Sequence, residues 1–541
     1  MKKSMKKKTL LRNVKILATY SDCFRVKQKT EEEIQKLFKR VPFRTTCLFL
    51  SKMSTEKINE KQIKLSFLNH IKQNPNQKAA LKSFEKTLME YTVFSPQTIL
   101  QFWKYLISYG DPEYNEEIPN ITFSSMMVFL SMIINDTFGS TSKSELTSEV
   151  FSNGIFSYNH HFGVALARTN YIYTTLASNK ENFNEKDYLD INKDFYEKYG
   201  YTINEYISVW FGFITAFLDP FQKDNWPQKL MYFNKTKLYP IAQEILGEEG
   251  QTINEAKVFS TDTLNKPWDF SSFISKPLLL LNNQEFLPLS LYLIKKEFFY
   301  RLFYKVREIY PRDDERFLSF FGKPFEIYAQ NLLEESLCPN LNYKFVKSFK
   351  YGVNGNKDSP DIMLRLGNRL IVIEVKSLRL SFRTVFESTN KFVEKDINRL
   401  IINPLKQASS RVKEMFDFGL EYVDGVDELD FIILGNGNIP KIKGHKDSIK
   451  REIEPHLSKL PVTVKSYNYL SIEEFEYFCS LTEKKKPVFK VLERYFNETE
   501  LLENFKNFLN HNSYRLIKPA KLDKLYRETA DTVNKNLFES E

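Results

Sequence analysis

The chain has 541 residues, which is too long for one ordinary hydrophobic core and predicts two or more domains. Its four cysteines are scattered without CxxC spacing, so we expect neither a zinc cluster nor a disulfide framework. No apolar run approaches membrane-spanning length and no secretory signal is evident. We therefore expect the protein in a reducing cytoplasm. The net charge of +10 is concentrated in residues 1–64, where 18 Lys and Arg face 6 Asp and Glu.

Residues 1–53 form a basic N-terminal arm, for which we expect a small α/β structure. The surplus of positive charge suits either contact with a phosphate backbone or a solvated, partly disordered terminus. Short strands are predicted over Leu10–Thr19 and Phe43–Ser51. A helix is predicted over Lys29–Arg40, because Thr30 is a good N-cap residue before a run of glutamates.

Residues 54–316 have a helical pattern with aromatic side chains at helical spacing, which is typical of well-filled cores. Glycine is scarce, and neither a phosphate-binding glycine loop nor a serine or cysteine nucleophile motif occurs, which argues against an ATP-dependent motor or a Rossmann domain. A hairpin is predicted over Lys276–Pro288. Amphipathic helices are predicted over Pro96–Ile107, Thr122–Asn135, Tyr201–Leu218 and Leu291–Tyr310.

The most informative stretch is a second predicted hairpin. Ile362–Leu366 is one apolar arm, Gly367-Asn368 is a tight-turn dipeptide, and Leu370–Val375 is a β-branched run that suits a central strand. The turn folds the chain back on itself, so residues just before the first arm and at the end of the second arm meet at one end of the pair.

Three ionisable residues stand at that end of the hairpin. Glu374 and Lys376 are two residues apart, so they point to the same face of the strand, and the turn brings Asp361 to the same end. Two carboxylates and a lysine are what a Mg²⁺-dependent hydrolytic site needs, because hard oxygens bind the cation and a positive group holds or activates the attacking water.

This arrangement resembles the PD-(D/E)xK nuclease superfamily, with Pro360-Asp361 as the first motif and Glu374-Val375-Lys376 as the second. The resemblance implies a restriction-endonuclease-like α/β domain with a central mixed sheet over residues 317–482, followed by a helical appendage over 483–541. The whole chain is then an α+β multidomain protein, in which the α-rich region has a regulatory or target-sensing role.

Further positions match the superfamily's order of elements. A helix opening at Gly322, with Pro324 near its first turn, carries Glu326, which matches a glutamate that faces the metal site. After the hairpin, Asn403-Pro404 predicts a helix start; that helix carries Gln407, which matches a glutamine that orients site residues or DNA. Flanking strands are predicted over Tyr343–Tyr351, Leu429–Leu434 and Val462–Ser466, and helices over Lys391–Ile402 and Ile472–Leu481.

The loop after Lys376 carries Arg379 and Arg383, which are suited either to a phosphate contact or to simple solvation. One turn beyond Gln407, Arg411 lies on the same helix face. Residues 322–480 hold 23 Lys and Arg against 22 Asp and Glu, so nucleic-acid contacts must come from a local patch, from the basic arm or from a partner.

The resemblance implies hydrolysis of a phosphodiester bond. Mg²⁺, or Mn²⁺ in its place, would be held by Asp361, Glu374 and the backbone carbonyl of Val375, while Lys376 orients or deprotonates water. The expected partner is nucleic acid, above all double-stranded DNA, together with a regulatory protein or a second copy of the chain. The alternative is a catalytically silent nucleic-acid-binding or scaffolding protein that retains the nuclease fold.

Overall fold

A computed structural model describes residues 16–55, 58–73, 78–138, 161–221, 226–339, 341–387, 389–441, 443–498 and 503–538. The fold is α+β and mostly helical with mixed sheets, which confirms the coarse fold class predicted from the sequence. None of the helices in these ranges has an apolar stretch long enough to cross a membrane.

The first part of the chain alternates helices with short strands. Its elements are α1 (Tyr20–Phe24), α2 (Glu31–Phe38), α3 (Phe43–Met53), α4 (Glu60–Lys72), α5 (Lys78–Glu90), α6 (Pro96–Tyr109), α7 (Asn120–Asp136), α8 (Phe162–Asn170), α9 (Ile191–Tyr199), α10 (Ile203–Thr215), β1 (Gln228–Lys229), α11 (Tyr239–Glu249), β2 (Gly250–Thr252), α12 (Ile253–Asp262), α13 (Ser271–Ser275), β3 (Leu278–Leu280), β4 (Glu285–Pro288) and α14 (Leu291–Arg307).

The second part contains the longer strands. Its elements are α15 (Arg316–Glu335), β5 (Lys344–Lys347), β6 (Lys350–Tyr351), β7 (Lys357–Asp358), β8 (Ile362–Leu366), β9 (Arg369–Lys376), α16 (Phe382–Phe386), α17 (Asn390–Ile397), α18 (Asn403–Asp417), β10 (Glu428–Gly435), α19 (Lys443–Leu457), β11 (Thr463–Ser471), α20 (Ile472–Glu483), α21 (Val488–Glu498), α22 (Phe505–His511) and α23 (Ala520–Phe538). Short π-helical turns follow α8 at Tyr171–Leu176 and α17 at Asn398–Ile402.

The described residues form two compact units, each built from separate segments of the chain. The four-stranded unit takes residues within 15–162, 204–302 and 531–541, and the five-stranded unit takes those within 163–203 and 303–530. Each unit is named here after its largest sheet.

In the four-stranded unit, the predicted strand over Phe43–Ser51 is wrong, because this segment is helix α3. Its buried side chains recur at helical spacing at Phe43, Cys47 and Leu50, so burial of this face favours the helix over the β-branched and aromatic composition. The part of Leu10–Thr19 that is described forms only a bridge at Leu17, and residues 10–15 lie outside the described ranges.

Several helical predictions for the four-stranded unit are confirmed. Helix α2 starts with a capping box, in which the Thr30 hydroxyl accepts from the Glu33 N–H and the Glu33 carboxylate accepts from the Thr30 N–H. Helix α6 begins at Pro96 after the N-cap Ser95. The predicted hairpin is also present, since β3 and β4 pair antiparallel in a sheet of order β1-β4-β3-β2.

The five-stranded unit is organised around a mixed sheet of order β11-β10-β9-β8-β5. Strands β9, β10 and β11 are parallel, whereas β8 pairs antiparallel with both β9 and β5. Apolar side chains of β9 and β10 are almost fully buried. Helices α15 and α18 pack on β9, and helices α20 and α21 pack on β11, so the central strands are covered by helices.

Two predicted helix starts are wrong. Helix α15 begins at Arg316, so Pro324 lies inside the helix rather than in its first turn. The predicted start at Asn403 is instead a continuation of α17 through the π-turn, and Asn403 has helical backbone angles. The wider π-turn directly precedes Pro404, which has no N–H to donate and whose ring crowds the preceding turn of an α-helix.

Candidate active site

The hairpin of β8 and β9 is built as the sequence predicts. Gly367 takes a positive φ of 62° in the turn, a conformation that glycine adopts without strain. Ile362 lies opposite Ile373, so the register continued by one residue sets Asp361 against Glu374. The Asp361 carboxylate accepts a hydrogen bond of 2.6 Å from the Val375 N–H, which fixes it at the end of β9.

Glu374 is buried, with 1% of its surface exposed, and two cations compensate its charge. Lys376 Nζ lies 2.8 Å from Glu374 Oε1, and Arg411 Nη1 lies 3.1 Å from both carboxylate oxygens. Arg411 comes from α18, so this ion pair ties the helix to the end of β9. The two cations replace part of the hydration that the buried carboxylate loses on folding.

Lys376 connects the strand to the same helix by a second route. Its ammonium donates a hydrogen bond of 3.2 Å to the side-chain oxygen of Gln407, one helical turn before Arg411. Gln407 is exposed and the Lys376 side chain is 27% exposed, so this end of the cluster is open to solvent. Water and a solvent-borne substrate can therefore reach the lysine.

Glu326 is placed near Asp361 by helix α15. Its Oε1 accepts hydrogen bonds of 2.9 Å from each of Lys323, Gln330 and Ser348. Gln330 Nε2 also donates to the backbone carbonyl of Asp361 at 3.0 Å. Gln330 thus links the helix that carries Glu326 to the residue that opens the hairpin.

These carboxylates act on each other electrostatically. The pKa of Asp361 is raised to about 8, first by burial and then by the neighbouring charges of Glu374 and Glu326, while the Val375 N–H and Lys376 oppose the shift. Without a cation beside it, the Asp361 carboxyl therefore holds its proton more strongly than an ordinary aspartate. The cluster has a deficit of positive charge on the Asp361 side.

Within the described ranges, no three or more His, Cys, Asp and Glu side chains form a group that could hold a metal ion by themselves. The donors at the strand end are two carboxylates, Asp361 and Glu374, together with a backbone carbonyl. In an antiparallel pair the N–H and C=O of one residue point the same way, so the carbonyl of Val375 faces the Asp361 side. Oxygen donors of this kind, next to an undercompensated carboxylate, fit a hard divalent cation.

The structure brings all five predicted site residues into one network, which we name the strand-end cluster. Its members are Glu326, Asp361, Glu374, Lys376, Gln407 and Arg411. Sequence reasoning gave no site role to Arg411 or to Gln330. A signal for both was present, because each lies four residues after a predicted site residue on its helix and thus on the same face.

Comparisons of the chain with protein-family models, with curated proteins and with solved structures found no match. The function proposed below therefore rests on the geometry and chemistry of the strand-end cluster.

Proposed function

We propose that the protein is a metal-dependent nuclease of the PD-(D/E)xK type, a DNA endonuclease acting in restriction or in defence against phage. The observation that carries the proposal is the convergence of Asp361, Glu374 and Lys376 at the end of one hairpin. The order of elements supports the proposal, because it matches that of a restriction-endonuclease-like domain. The order is α15 with Glu326, β5, the hairpin, α18 with Gln407, and the parallel strands β10 and β11.

In this proposal the carboxylates of Asp361 and Glu374 and the carbonyl of Val375 would hold Mg²⁺ or Mn²⁺. When bound, the cation would supply a water of lowered pKa and neutralise charge on the phosphate. Lys376 holds or deprotonates the attacking water, and Gln407 keeps the lysine in place through its 3.2 Å hydrogen bond.

Arg411 and Glu326 have positioning roles. Arg411 holds both oxygens of Glu374, so the carboxylate keeps one orientation at the end of β9. Glu326 organises Lys323, Gln330 and Ser348, and through Gln330 it fixes the backbone at Asp361. Both interactions reduce the reorganisation needed when a cation and a phosphate enter the site.

Incubation with plasmid DNA and Mg²⁺ or Mn²⁺ tests the proposal. Wild type should nick or cut the plasmid, and Lys376→Ala should lose about 100-fold or more of the rate. The matched control is Lys465→Ala, which removes a lysine of β11 whose ammonium lies 2.9 Å from Glu428 in the same sheet. The proposal is wrong if no DNA or RNA is cut with either metal, or if the Lys376 and Lys465 variants cut equally well.

Metal binding can be measured without catalysis. Ca²⁺ or Mg²⁺ should raise the melting temperature of wild type, because a ligand of the folded state stabilises it. Asp361→Asn keeps an oxygen that can accept from the Val375 N–H but loses the charge, so its melting temperature should not respond to the cation. An equal response of both proteins would place any bound cation outside the strand-end cluster.

A second candidate is a protein that binds nucleic acid without cutting it. The observation in its favour is that Glu374 is already compensated by Lys376 and Arg411, as in a structural ion pair. This protein would bind DNA equally well with and without EDTA and would cut nothing with Mg²⁺ or Mn²⁺.

A further inference from the structure

Three aromatic rings of the five-stranded unit, Tyr304 of α14 and Phe382 and Phe386 of α16, stack on one another. Phe382 is 43% exposed and Tyr304 is 38% exposed, and their ring centroids lie 5.4 Å apart with an interplanar angle of 30°. Phe386 continues the stack on Phe382 at 5.6 Å and 10°. We call Tyr304, Phe382 and Phe386 the ring stack. Aromatic rings that are grouped and partly exposed offer a surface on which a flat ligand can stack.

Two arginines border the ring stack. The Arg379 guanidinium lies 5.0 Å from the Phe382 ring centroid and 5.4 Å from that of Tyr304. Arg383 lies over the Phe392 ring, and its side chain is 72% exposed and forms a long ion pair of 4.0 Å with Glu387. Flat cations next to flat rings are the combination that holds a base and its phosphate together.

The segment that carries these groups is fixed in place. The Ser381 N–H donates to Asp396 at 2.6 Å, and Arg399 donates to the Arg379 carbonyl at 2.7 Å. The Leu378 carbonyl accepts from the N–H of Asn436, the residue after β10, at 3.2 Å. The backbone that carries Arg379 and leads into Phe382 is therefore held in one conformation before any partner binds, which lowers the entropy lost on binding.

Local charge separates this segment from the rest of its domain. Residues 376–399 contain six Lys and Arg and three Asp and Glu, a surplus of +3, whereas the longer stretch 322–480 has a surplus of only one. The segment is thus the local basic patch that a near-neutral domain needs for contact with a phosphate backbone.

We propose that the ring stack binds an unpaired nucleobase of a single-stranded stretch, with Arg379 and Arg383 holding the adjoining phosphates. The part of the Phe382 ring that is open to solvent can contact any base, so recognition is tolerant of sequence. A base inside a duplex has both faces covered by its neighbours and cannot stack on the ring. The surface therefore distinguishes unpaired from paired nucleic acid.

The inference rests on the proposed nuclease function, for which it names the substrate class. Phe382 is six residues after Lys376, so the two Cα atoms are no more than about 22 Å apart. At about 3.4 Å per stacked nucleotide this distance spans at most roughly six nucleotides. The cleaved bond then lies in, or beside, a stretch that contains an unpaired base.

Fluorescence anisotropy with labelled oligonucleotides tests the inference without any cleavage. Single-stranded DNA, single-stranded RNA and a duplex of the same sequence are titrated in EDTA with wild type and with Phe382→Ala. We expect Phe382→Ala to bind single strands about tenfold more weakly, because one stacking contact is lost, while its duplex affinity stays unchanged. Phe382→Trp should retain the affinity, and Phe382→Leu, which keeps an apolar side chain without a π face, should lose it.

The matched control is Phe418→Ala. Phe418 is 48% exposed and also has a cation over its ring, since Lys357 Nζ lies 5.2 Å from the centroid, but it stands at the end of α18. Equal single-strand affinities of wild type and Phe382→Ala, or equal losses in the Phe382 and Phe418 variants, overturn the inference. These titrations are made in EDTA and measure binding alone, so a failure of the nuclease proposal leaves this binding result interpretable by itself.

Discussion

Two hairpins of this protein look alike in the sequence and differ in the burial and the ion pairs of one glutamate. Both have two apolar arms around a turn that contains asparagine. In β3–β4 the glutamate, Glu285, lies beside the turn, pairs with Arg44 at 2.8 Å and is 19% exposed. In β8–β9, Glu374 lies at the opposite end from the turn, is 1% exposed and needs both Lys376 and Arg411.

The two glutamates therefore contribute differently to the stability of the fold. A partly exposed ion pair such as that of Glu285 contributes little to stability and demands little from its surroundings. A buried carboxylate must be compensated fully, and an apolar residue of similar volume would often serve the fold as well or better. The second hairpin therefore carries charges that folding alone does not require, which is typical of functional sites.

The largest expected effect is on catalysis. Glu374→Gln keeps the size of the side chain but removes the charge that would hold a cation, so the rate of plasmid cleavage should fall by about 100-fold or more. Glu285→Gln, the same change in the other hairpin, should leave the rate within error of wild type. Comparable rates in both variants would remove the functional distinction between the hairpins.

The next effect is on stability in metal-free buffer. Glu374→Ala leaves Lys376 and Arg411 without their shared partner and should lower the free energy of unfolding by about 3 kcal/mol. Glu285→Ala should lower it by less than about 1 kcal/mol. Urea denaturation measures both. Similar losses would mean that burial does not set the cost of these carboxylates.

A buried lysine in the four-stranded unit shows the effect of burial on a positively charged group. Lys104 donates to the backbone carbonyls of Thr263 and Lys266 at 3.0 and 2.9 Å, and burial lowers its pKa to about 7. Because the folded state loses this proton at a lower pH than the unfolded state does, the contribution of Lys104 to stability rises with pH above the folded pKa.

Urea denaturation of wild type and Lys104→Met at several pH values measures this contribution. The stability of wild type relative to Lys104→Met should increase by about 2 kcal/mol between about pH 7 and pH 9. A difference that stays constant over this interval would show that Lys104 keeps its proton in the folded state.

The smallest expected effect is in the turn of β8–β9. A Cβ at Gly367 would meet no neighbour, but its φ of 62° is strained for any other residue, so Gly367→Ala should destabilise the protein by about 1 kcal/mol. Gly247 in helix α11 is equally open and has no such angle, so Gly247→Ala should be neutral or stabilising by up to about 1 kcal/mol. Equal effects in urea denaturation would contradict the turn assignment.

Local signals were sufficient for much of the fold. The Gly367-Asn368 turn and the apolar arms around it predicted the central hairpin, and Thr30 with Glu33 predicted the start of α2. The prediction was wrong where residue composition and the spacing of apolar residues favoured different secondary structures. The segment at Phe43–Ser51 has strand-forming residues with helical spacing, and packing of the buried face selected the helix.

For the candidate site, the sequence predicted the residues on the hairpin and, through the resemblance, Glu326 and Gln407 on flanking helices. It gave no site role to Gln330, Ser348 or Arg411. The meeting of Asp361 and Glu374 follows from strand register, which the turn determines. The helical spacing from Glu326 indicates the face on which Gln330 lies, but the contacts of Ser348 and Gln330 also depend on how α15 and β5 lie against the hairpin, which no local pattern encodes.

The number of residues in the π-turn at Asn398–Ile402 sets the rotation of α18 relative to β9. A π-turn contains one residue more than an α-helical turn, and each residue advances a helix by about 100°. Deleting one residue there would restore a regular helix but rotate Gln407 and Arg411 by about 100° away from Lys376 and Glu374. The number of residues in this turn therefore determines whether Gln407 and Arg411 reach the end of β9.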